Sequence, residues 1–364
     1  MRDPLELVKP EVRALKAYSL AAREARVKIN QNENPFELPD ELKREVLAQA
    51  LVRPWGRYPD FDPKELCAAL AAFAGWREDG VLAGNGSNEL IEALLLVTVG
   101  AGTSVVIPEP TFTLYGLLTG VLGGQVVRVR LGADFRYDAS ALARAAREKG
   151  AALTIVCSPN NPTGSLLEPA GVESLCRETD GLVVVDEAYH EFAEASVVPL
   201  LERHANLVVL RTFSKAMAMA GLRVGYLLAA PRLVAEINKA RLPYNLNFFS
   251  QLAALAALRR TDAIRDSVRR LRRLREELMA TLRALPGITV HPSRANFFLL
   301  ELHEADPKGV FEALFAQGVL VRDVTGYPGL ERCLRISVGS EEENDALGRA
   351  LQQALALAPA GRRE

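Results

Sequence analysis

Short apolar runs alternate with amphipathic segments over residues 40–245 of the chain. The runs show no polar alternation, which is typical of strands that are covered on both faces. Amphipathic stretches such as 138–149 and 169–179 separate most of them and have the spacing of helices. This order predicts an α/β fold with a mostly parallel sheet flanked by helices. The runs cover residues 104–107, 126–130, 153–157, 182–186, 207–211 and 224–229.

The hydrophobic pattern changes after Pro243. Residues 247–284 form one long helical pattern whose polar face is rich in arginine and glutamate. Shorter strand-like and helical stretches follow, which predicts a smaller α+β unit. We therefore divide the chain into a large domain at 41–245 and a second part, made of an N-terminal arm at 1–40 and a small domain at 246–364. The strand-like stretches are 288–290, 296–301, 319–322 and 333–338, and the helical ones are 307–317 and 341–357.

Composition and charge narrow the class of protein. The 364 residues are 49% hydrophobic and 24% charged, as in globular proteins, and the net charge of −1 gives no basic excess for nucleic acid. Polar residues and glycines interrupt the longest apolar stretch, and the N-terminus lacks the apolar core of a signal peptide. Four scattered cysteines indicate a reducing compartment, and four histidines lack metal-ligand spacing. We expect a cytoplasmic protein without a metal, membrane or nucleic-acid partner.

Two irregular segments rich in small or turn-forming residues adjoin predicted elements. In 83–89 (AGNGSNE), two glycines precede Ser87, and an apolar helical pattern follows. Backbone N–H groups at such a helix start bind phosphate, although an ordinary helix cap fits the same residues. Segment 157–164 (CSPNNPTG) ends a buried strand in a loop, at the sheet edge where α/β proteins bind ligands. Asn161 therefore presents its side-chain amide to that edge.

Two charged side chains follow the next strands along the chain. Asp186 ends a run of valines, so its carboxylate is expected to be buried, either against a cationic partner or as the cap of the next helix. Lys215 follows the strand-like run 207–211 in an apolar setting, with Arg223 eight residues later. Burial and a nearby positive charge lower the pKa of a lysine, and such an amine suits Schiff-base chemistry. The alternative for Lys215 is a solvent-exposed surface lysine.

Together these segments resemble the fold-type I, pyridoxal-phosphate-dependent aminotransferases. The sequences SPNNPTG, DEAY and SK followed by an arginine occur in that family's order, and the match covers nearly the whole chain. The resemblance implies the family's fold, with a mostly parallel sheet in a large domain and a smaller α+β domain. It narrows to the histidinol-phosphate aminotransferase branch through segments 32–36, 57–60, 110–112 with Tyr115, 220–225, 243–245 and 334–339.

The resemblance implies a set of residues that bind pyridoxal 5′-phosphate. Lys215 resembles the lysine that forms a Schiff base with the cofactor aldehyde and later moves the substrate proton. Asp186 resembles the carboxylate that pairs with the pyridinium nitrogen, and Asn161 and Tyr189 resemble donors to the phenolic oxygen. The residues that resemble the family's phosphate-binding groups are Gly86, Ser87, Ser214 and Arg223. Phe112 falls where an aromatic ring stacks on the pyridine ring. Asn88 is assigned a further cofactor contact, at a position where many relatives carry an acidic residue.

The resemblance also assigns residues to the substrate and to a second subunit. Arg335 resembles the arginine that binds the anionic end of the substrate, a carboxylate for glutamate and a phosphate for histidinol phosphate. Arg322 would be a second arm of that clamp, and Asn34 is assigned to the same substrate side. Tyr18 and Tyr58 correspond to residues that reach into the neighbouring subunit's site, which implies a homodimer with shared active sites.

The resemblance implies a transaminase that moves an amino group from L-histidinol phosphate to 2-oxoglutarate, giving imidazole acetol phosphate and L-glutamate in histidine biosynthesis. Two other functions remain open because they share the motifs: a broad-specificity aromatic amino-acid aminotransferase and a phosphothreonine decarboxylase of the same fold. A non-catalytic relative of the transcription-regulator kind would need an appended DNA-binding domain, and the chain carries no basic arm of that sort.

Overall fold

The structure is a computed structural model that describes residues 3–15 and 23–357. The strands of that part of the chain form three sheets. Each apolar run predicted from the sequence is a strand, whereas β2 lies in a stretch that the pattern did not reveal as a strand. The strands are β1 (Val27–Lys28), β2 (Val81–Gly84), β3 (Ser104–Glu109), β4 (Gln125–Arg130), β5 (Leu153–Cys157), β6 (Leu182–Asp186), β7 (Leu207–Thr212), β8 (Gly225–Ala229), β9 (Ile288–Val290), β10 (Phe297–Leu302), β11 (Val319–Leu320), β12 (Arg322–Asp323) and β13 (Cys333–Ser337).

The largest sheet has seven strands in the order β2-β8-β7-β6-β5-β3-β4. Strands β3 to β7 pair in parallel, and β8 is antiparallel to its neighbours β2 and β7. The valines of β6 and β7 have no exposed surface, so both faces of the sheet centre are covered. The predicted mostly parallel sheet is therefore confirmed. The loops after β5, β6 and β7 leave the sheet at the same edge, where α/β folds bind their ligands.

Helices pack against the large sheet and against the smaller one. They are α1 (Pro10–Arg13), α2 (Asp40–Val52), α3 (Lys64–Ala74), α4 (Ser87–Thr98), α5 (Thr113–Val121), α6 (Ala139–Lys149), α7 (Pro169–Glu178), α8 (His190–Ala193), α9 (Pro231–Asn238), α10 (Phe248–Leu258), α11 (Thr261–Arg283), α12 (Pro307–Ala316) and α13 (Glu341–Leu357). Helix α4 contacts β2, β7 and β8, and α6 contacts β3, β4 and β5. The first residue of α4 thus lies at the end of the sheet that carries the loop after β7.

The stretch 247–284, predicted as one helix, is two helices. The break between α10 and α11 falls at Arg259 and Arg260, whose guanidinium groups bind the two carboxylate oxygens of Glu45 on α2 at 2.7 and 2.5 Å. Arg260 takes a non-helical conformation with φ −125° and ψ 43°. The expectation of a continuous helix was wrong because the helical pattern continues across the break, while the contact with Glu45 is tertiary.

The second sheet is antiparallel, in the order β12-β13-β10-β9, and α11 and α12 contact its strands. The stretch 319–322, predicted as one strand, divides between two sheets, because β11 pairs in parallel with β1 while β12 pairs with β13. Through β1, the N-terminal segment joins the C-terminal part of the chain. The division of the chain into domains at 41–245 remains a prediction.

One hydrophobic core includes side chains of both larger sheets. The valines of β6 belong to it together with Leu334 and Ile336 of β13, so buried packing links the strand that ends at Asp186 to the strand that carries Arg335. Within the described ranges, the structure contains no helix that is long and apolar enough to cross a membrane.

Candidate active site

A cavity of about 270 Å³ lies where the loops after β5, β6 and β7 meet residues 30–32 and the strands β12 and β13. The sequence predicted that ligand-binding side chains would collect at this sheet edge. The predicted site residues that line the cavity are Ser87, Asn88, Phe112, Asn161, Asp186, Tyr189, Ser214, Lys215, Arg223, Arg322 and Arg335.

Lys215 lies in the loop after β7, and its side chain is part-buried. Its Nζ donates a hydrogen bond to the main-chain carbonyl of Gln31 at 2.8 Å. The pKa of Lys215 is lowered from 10.5 to about 7, mainly by burial and also by the positive charges of Arg335 and Arg223, while the charge of Glu33 opposes this shift. The predicted depression of this pKa is confirmed. A substantial fraction of the amine is therefore neutral at pH 7, and the neutral form is the nucleophile and the base.

Asp186 ends β6 with its carboxylate buried at the cavity. One oxygen accepts a hydrogen bond from the Tyr115 hydroxyl at 2.7 Å, and the other accepts from the N–H of Ala188 at 3.1 Å. Burial raises the pKa of Asp186 from 3.8 to about 6, although both hydrogen bonds act to lower it. Asp186 makes no ion pair with any residue that the structure describes, so its predicted cationic partner is not a side chain of that part of the protein. A buried carboxylate of this kind favours a cationic ligand.

The start of α4 and the loop after β7 form a cradle for an anion. Gly86 has a φ of +81°, and a Cβ atom there would lie 2.4 Å from the guanidinium of Arg223. A Cβ atom at Gly225 would lie 2.3 Å from the backbone nitrogen of Ser87, where α4 begins. The Arg223 guanidinium also donates to the Ser214 hydroxyl at 3.1 Å. We call Gly86, Ser87, Ser214 and Arg223 the anion cradle, since helix-start N–H groups, a hydroxyl and a guanidinium are donors that bind phosphate.

Arg335 and Arg322 make one wall of the cavity positively charged. They are partners in register between β13 and β12, and residues directly opposite in an antiparallel pair point to the same face. The buried Arg335 guanidinium donates to the side-chain oxygen of Asn161 at 2.6 Å and to the carbonyl of Asn30 at 2.7 Å. Two guanidinium groups at one cavity favour a substrate that carries a carboxylate or a phosphate.

Tyr189 is buried close to Lys215, with Nζ of the lysine 5.9 Å from the ring centroid. Its hydroxyl accepts a hydrogen bond from the side-chain amide of Asn32 at 3.1 Å. Burial raises the pKa of Tyr189, whereas the charge of Arg335 and the hydrogen bond from Asn32 oppose this rise. The hydroxyl therefore keeps its proton at neutral pH and is available as a donor.

Several residues of the site were missed by reasoning from the sequence. Tyr115 was noted only as part of a motif, but its hydroxyl holds Asp186, and its ring meets that of Phe112 edge to face at 5.5 Å. The spacing of three residues between the two rings was a usable signal, because residues three apart lie on one face of a helix. The other missed residues that line the cavity include Asn30, Gln31, Asn32, Cys157 and Tyr327.

A buried ion pair lies behind the sheet edge and was also missed. Glu187, which follows Asp186, binds Arg211 of β7 at 2.9 Å. Its carboxylate accepts two more hydrogen bonds, from the Ser196 hydroxyl at 3.0 Å and from the N–H of Val197 at 2.6 Å. Because removal of one partner would leave the other charge buried, this pair fixes the spacing of the strand ends that carry Asp186 and the loop of Lys215.

Three of the predicted site residues that the structure describes do not line this cavity: Gly86, Asn34 and Tyr58. Gly86 directly precedes Ser87, which does line it. Asn34 lines a different cavity, where its Nδ2 donates to the Ala216 carbonyl at 3.1 Å and to the Ser267 hydroxyl at 3.0 Å. The left-handed φ of +55° at Asn32 redirects the chain, so that Asn32 rather than Asn34 lies at the site. The side chain of Tyr58 is 81% exposed in the single chain. Tyr18 lies outside the described residues.

Comparisons with known proteins agree with this geometry. The chain matches the family described as "Aminotransferase class I and II" over residues 25–351. It is 40% identical over 343 residues to a histidinol-phosphate aminotransferase of Chlorobaculum tepidum, a match that covers 94% of this chain and 98% of the relative. It is 38% identical over 352 residues to a histidinol-phosphate aminotransferase of Chlorobium phaeovibrioides, covering 96% of this chain and 97% of the relative.

A solved structure is similar in fold as well. The histidinol-phosphate aminotransferase of Sinorhizobium meliloti, crystallised with pyridoxal-5'-phosphate, superposes with a TM-score of 0.87 at 26% identity, and the match covers 95% of this chain and 97% of that one. The family match spans almost the whole described chain, and two relatives exceed a third identity over nearly their full length. The chain belongs to the class I and II aminotransferase family.

Proposed function

We propose that this aminotransferase moves the amino group of L-histidinol phosphate to 2-oxoglutarate, giving imidazole acetol phosphate and L-glutamate in histidine biosynthesis. The observation that carries the proposal is the pair Arg322 and Arg335 on neighbouring strands at the cavity. A planar guanidinium binds either a phosphate or a carboxylate through two parallel hydrogen bonds, so one wall receives both substrates. The names of the relatives at 38% and 40% identity support the same substrate.

The enzyme uses pyridoxal 5′-phosphate, and the cavity offers a group for each part of that cofactor. The anion cradle fits its phosphate, and the buried carboxylate of Asp186 fits a protonated ring nitrogen. Lys215 would hold the aldehyde carbon covalently, Phe112 would cover one face of the ring, and Asn88, the second residue of α4, would make a further contact. When bound, the cofactor supplies an electron sink for the negative charge that develops at the substrate Cα.

Lys215 carries the proton in this mechanism. Its pKa of about 7 means that Nζ is neutral in a large fraction of molecules at physiological pH. A neutral amine removes a proton from the substrate Cα and returns one from the same nitrogen, and a base with a pKa close to the working pH does both well. The carbonyl of Gln31, which accepts a hydrogen bond from Nζ, holds the amine at the cavity.

Asn161 and Tyr189 act as hydrogen-bond donors toward an oxygen of the bound cofactor. The side-chain oxygen of Asn161 already accepts from Arg335 at 2.6 Å, so its amide N–H groups remain for the cavity. The Tyr189 hydroxyl accepts from Asn32, so its own proton also remains for the cavity. Both donors favour negative charge on the phenolic oxygen.

The active enzyme is a homodimer in our proposal. Large apolar side chains are exposed along residues 47–61 and near Tyr244, and the rings of Tyr58 and Tyr244 stack at 4.4 Å. An exposed aromatic and aliphatic surface of this kind is typical of a protein interface. A second copy would cover it and bring Tyr58, and Tyr18 in the resemblance, to the neighbouring cavity. Sedimentation at assay concentration is expected to show a dimer, and a fully active monomer would contradict it.

We place the enzyme in the cytoplasm. All four cysteines lie in the described ranges as free thiols, and three of them are buried. Burial raises the pKa of Cys333 and Cys176, which keeps these thiols protonated and unreactive. Free thiols of this kind suit a reducing compartment. The partners of the enzyme are small molecules, namely its amino-acid and oxo-acid substrates.

Separate half-reactions test the substrate. The absorbance of the enzyme–cofactor complex would be followed after mixing with histidinol phosphate, glutamate, phenylalanine or phosphothreonine alone. We expect histidinol phosphate and glutamate to convert the complex, with kcat/KM for histidinol phosphate well above that for phenylalanine. A ratio near one would indicate a broad aromatic aminotransferase and would overturn the histidine assignment. Rapid release of carbon dioxide from phosphothreonine would indicate the decarboxylase instead.

A further inference from the structure

Residues 30–32 form hydrogen bonds with three residues that line the cavity. Within the described part of the chain, Asn30 and Gln31 make these bonds through their main chain, and Asn32 makes its bond through its side chain. The two preceding residues offer main-chain carbonyls to Arg335 at 2.7 Å and to Lys215 at 2.8 Å. The amide of Asn32 donates to the Tyr189 hydroxyl at 3.1 Å. Asn32 therefore contacts Tyr189 through its side chain, so a substitution there changes the contact, whereas the main-chain contacts of Asn30 and Gln31 do not depend on their side chains.

Asn32 is held in place by bonds to all of its polar groups. It is 1% exposed, and its φ of +55° lies in the left-handed region, which asparagine tolerates better than most residues. Its N–H donates to the Ser337 hydroxyl at 2.9 Å, and its carbonyl accepts from the Asn296 amide at 3.1 Å. Its side-chain oxygen accepts from the same Ser337 hydroxyl at 2.9 Å. The side chain is thus immobilised beside Tyr189.

The Ser337 hydroxyl also decides which end of the Asn32 amide faces Tyr189. Ser337 is buried, and Oδ1 of Asn32 is the acceptor for its proton in the described part of the protein. If the amide were turned around, the buried hydroxyl proton would lose that acceptor, which is unfavourable. The NH₂ group therefore faces Tyr189, and Oη of Tyr189 is an acceptor in this bond.

We infer that Asn32 is a positioning residue that orients the hydroxyl proton of Tyr189 toward the cavity. Because Oη accepts from Asn32, the single proton of the hydroxyl points to another acceptor, and Tyr189 lines the cavity. The acceptor is an oxygen bound there, which in the proposed function is the phenolic oxygen of the cofactor. The inference rests on the proposed function for the identity of that oxygen.

The expected consequence is a change in the titration of the lysine-bound cofactor. A hydrogen bond from Tyr189 stabilises negative charge on the phenolic oxygen, and this lowers the pH at which the cofactor–lysine linkage loses its proton. Without the donor on Asn32, the hydroxyl of Tyr189 can rotate, and its proton is no longer held in the direction of the cavity. The midpoint of the absorbance titration is then expected to rise by about 0.3 to 1 pH unit, the effect of one hydrogen bond.

Two variants of Asn32 measure this effect. Asn32→Gly removes the amide and keeps a residue that adopts a left-handed φ without strain. Asn32→Asp keeps the shape of the side chain but offers an acceptor, which takes the Tyr189 proton, so its upward shift is expected to be larger. The matched control is Glu194→Gly, since Glu194 is exposed and also has a left-handed φ, of 53°. The control is expected to titrate like the unmodified enzyme.

Combination with Tyr189→Phe makes the test specific. If Asn32 acts through the Tyr189 hydroxyl, Asn32→Gly shifts the midpoint in the unmodified background and not in the Tyr189→Phe background. The inference is overturned by no shift in the first background, or by an equal shift in both. If Asn32→Gly does not fold, the Asn32→Asp titration decides, because an unchanged midpoint there also overturns it. Absence of any lysine-bound absorbance band in the unmodified protein would instead refute the proposed function.

Discussion

The cavity has two walls of different origin. The sheet wall, formed by the ends of β5, β6 and β7 and the loops that follow them, carries Asn161, Asp186 and Lys215. The distal wall consists of residues 30–32 and of Arg335 on β13. In the proposed function, the sheet wall supplies the groups that bind and move protons. The distal wall sets the charge state of Lys215, because Arg335 is the strongest charged influence on the pKa of that lysine.

The position and the reactivity of the groups at the cavity therefore have separate sources in this molecule. Parallel strand ends bring the groups of the sheet wall together through main-chain geometry, which tolerates changes elsewhere. The charge state of Lys215 depends on a side chain that reaches the cavity from the antiparallel sheet. Substitutions in the sheet wall are therefore expected to abolish chemistry, and substitutions in the distal wall are expected to tune it.

The largest effect is expected from Lys215→Ala in the sheet wall. The variant loses both the covalent attachment point and the base, so single-turnover rates with histidinol phosphate are expected to fall by several orders of magnitude. The anion cradle is intact, so the cofactor is still expected to bind without a covalent bond. Lys239→Ala, which removes an exposed lysine paired with Glu236, is the control and is expected to be unaffected. A rate within tenfold of the unmodified enzyme would show that Lys215 is not the base.

The second largest effect is expected from Asp186→Asn. Loss of a buried charge opposite a cationic ring nitrogen costs about 3–5 kcal/mol, or about two to four orders of magnitude in rate. The cofactor-free variant is expected to be at least as stable as the unmodified protein at pH 7. The raised pKa of Asp186 makes the folded state bind more protons between about pH 4 and 6, so this carboxylate contributes a fall in stability as the pH rises through that range. The variant is expected to lack that contribution.

Rate measurements and thermal unfolding of the cofactor-free protein check the Asp186 prediction together. Asp79→Asn is the matched control, because Asp79 is an exposed carboxylate paired with Arg77. Near-normal turnover in Asp186→Asn would mean that the carboxylate has only a structural role.

Arg335→Leu is expected to have an intermediate effect and to separate the two walls. Loss of a charge-assisted contact costs about 1.5–3 kcal/mol, which lowers the rate of each half-reaction by about ten- to a hundredfold. The rate of Arg335→Lys is expected to lie between those of Arg335→Leu and the unmodified enzyme. Because the Arg335 charge lowers the pKa of Lys215, its removal raises that pKa above about 7. The rate at which the cofactor-free enzyme captures pyridoxal phosphate is then expected to reach half its maximum at a higher pH.

Arg322→Leu is the control for this shift. Arg322 faces the same cavity, so its loss also weakens substrate binding, but its charge is not among the main influences on Lys215. The two variants should differ in the pH midpoint of cofactor capture and resemble each other in substrate affinity. Equal midpoints in Arg335→Leu and the unmodified enzyme would contradict the role of the distal wall.

The smallest effect is expected from Tyr115→Phe, which removes the hydrogen bond to Asp186. That bond acts to lower the pKa of the carboxylate, so the variant's pKa rises above about 6 and activity is lost at a higher pH on the acid side. At pH 8 the rate is expected to fall by about tenfold or less. Tyr137→Phe is the control, because the Tyr137 hydroxyl binds the Cys157 carbonyl instead. If the loss of activity at low pH shifted equally in both variants, the shift would not come from the hydrogen bond between Tyr115 and Asp186.

The sheet wall was predictable from the sequence, and the distal wall only in part. Runs of buried valines identify parallel strands, and the residue after each run must then lie at one edge, which placed Asp186 and Lys215 correctly. No local pattern reveals that Asn32, rather than Asn34, turns toward the cavity, because the turn depends on a left-handed φ and on bonds to Ser337 and Asn296 far along the chain.

The break between α10 and α11 escaped the sequence for a similar reason. The hydrophobic period there is continuous, and the ion pairs of Arg259 and Arg260 with Glu45 join residues that are distant in sequence. Arg335 was identified by its motif, but its effect on the pKa of Lys215 required the three-dimensional structure. Periodicity thus predicts which elements form, whereas contacts between distant segments decide how the reactive groups are tuned.

The most direct test of the account is the site of covalent attachment. Enzyme loaded with pyridoxal 5′-phosphate would be reduced with borohydride, digested, and mapped by mass spectrometry. We predict that the yellow absorbance is bleached and that the label lies on Lys215, the part-buried lysine with the depressed pKa. A label on any other lysine, or no label at all, would contradict it.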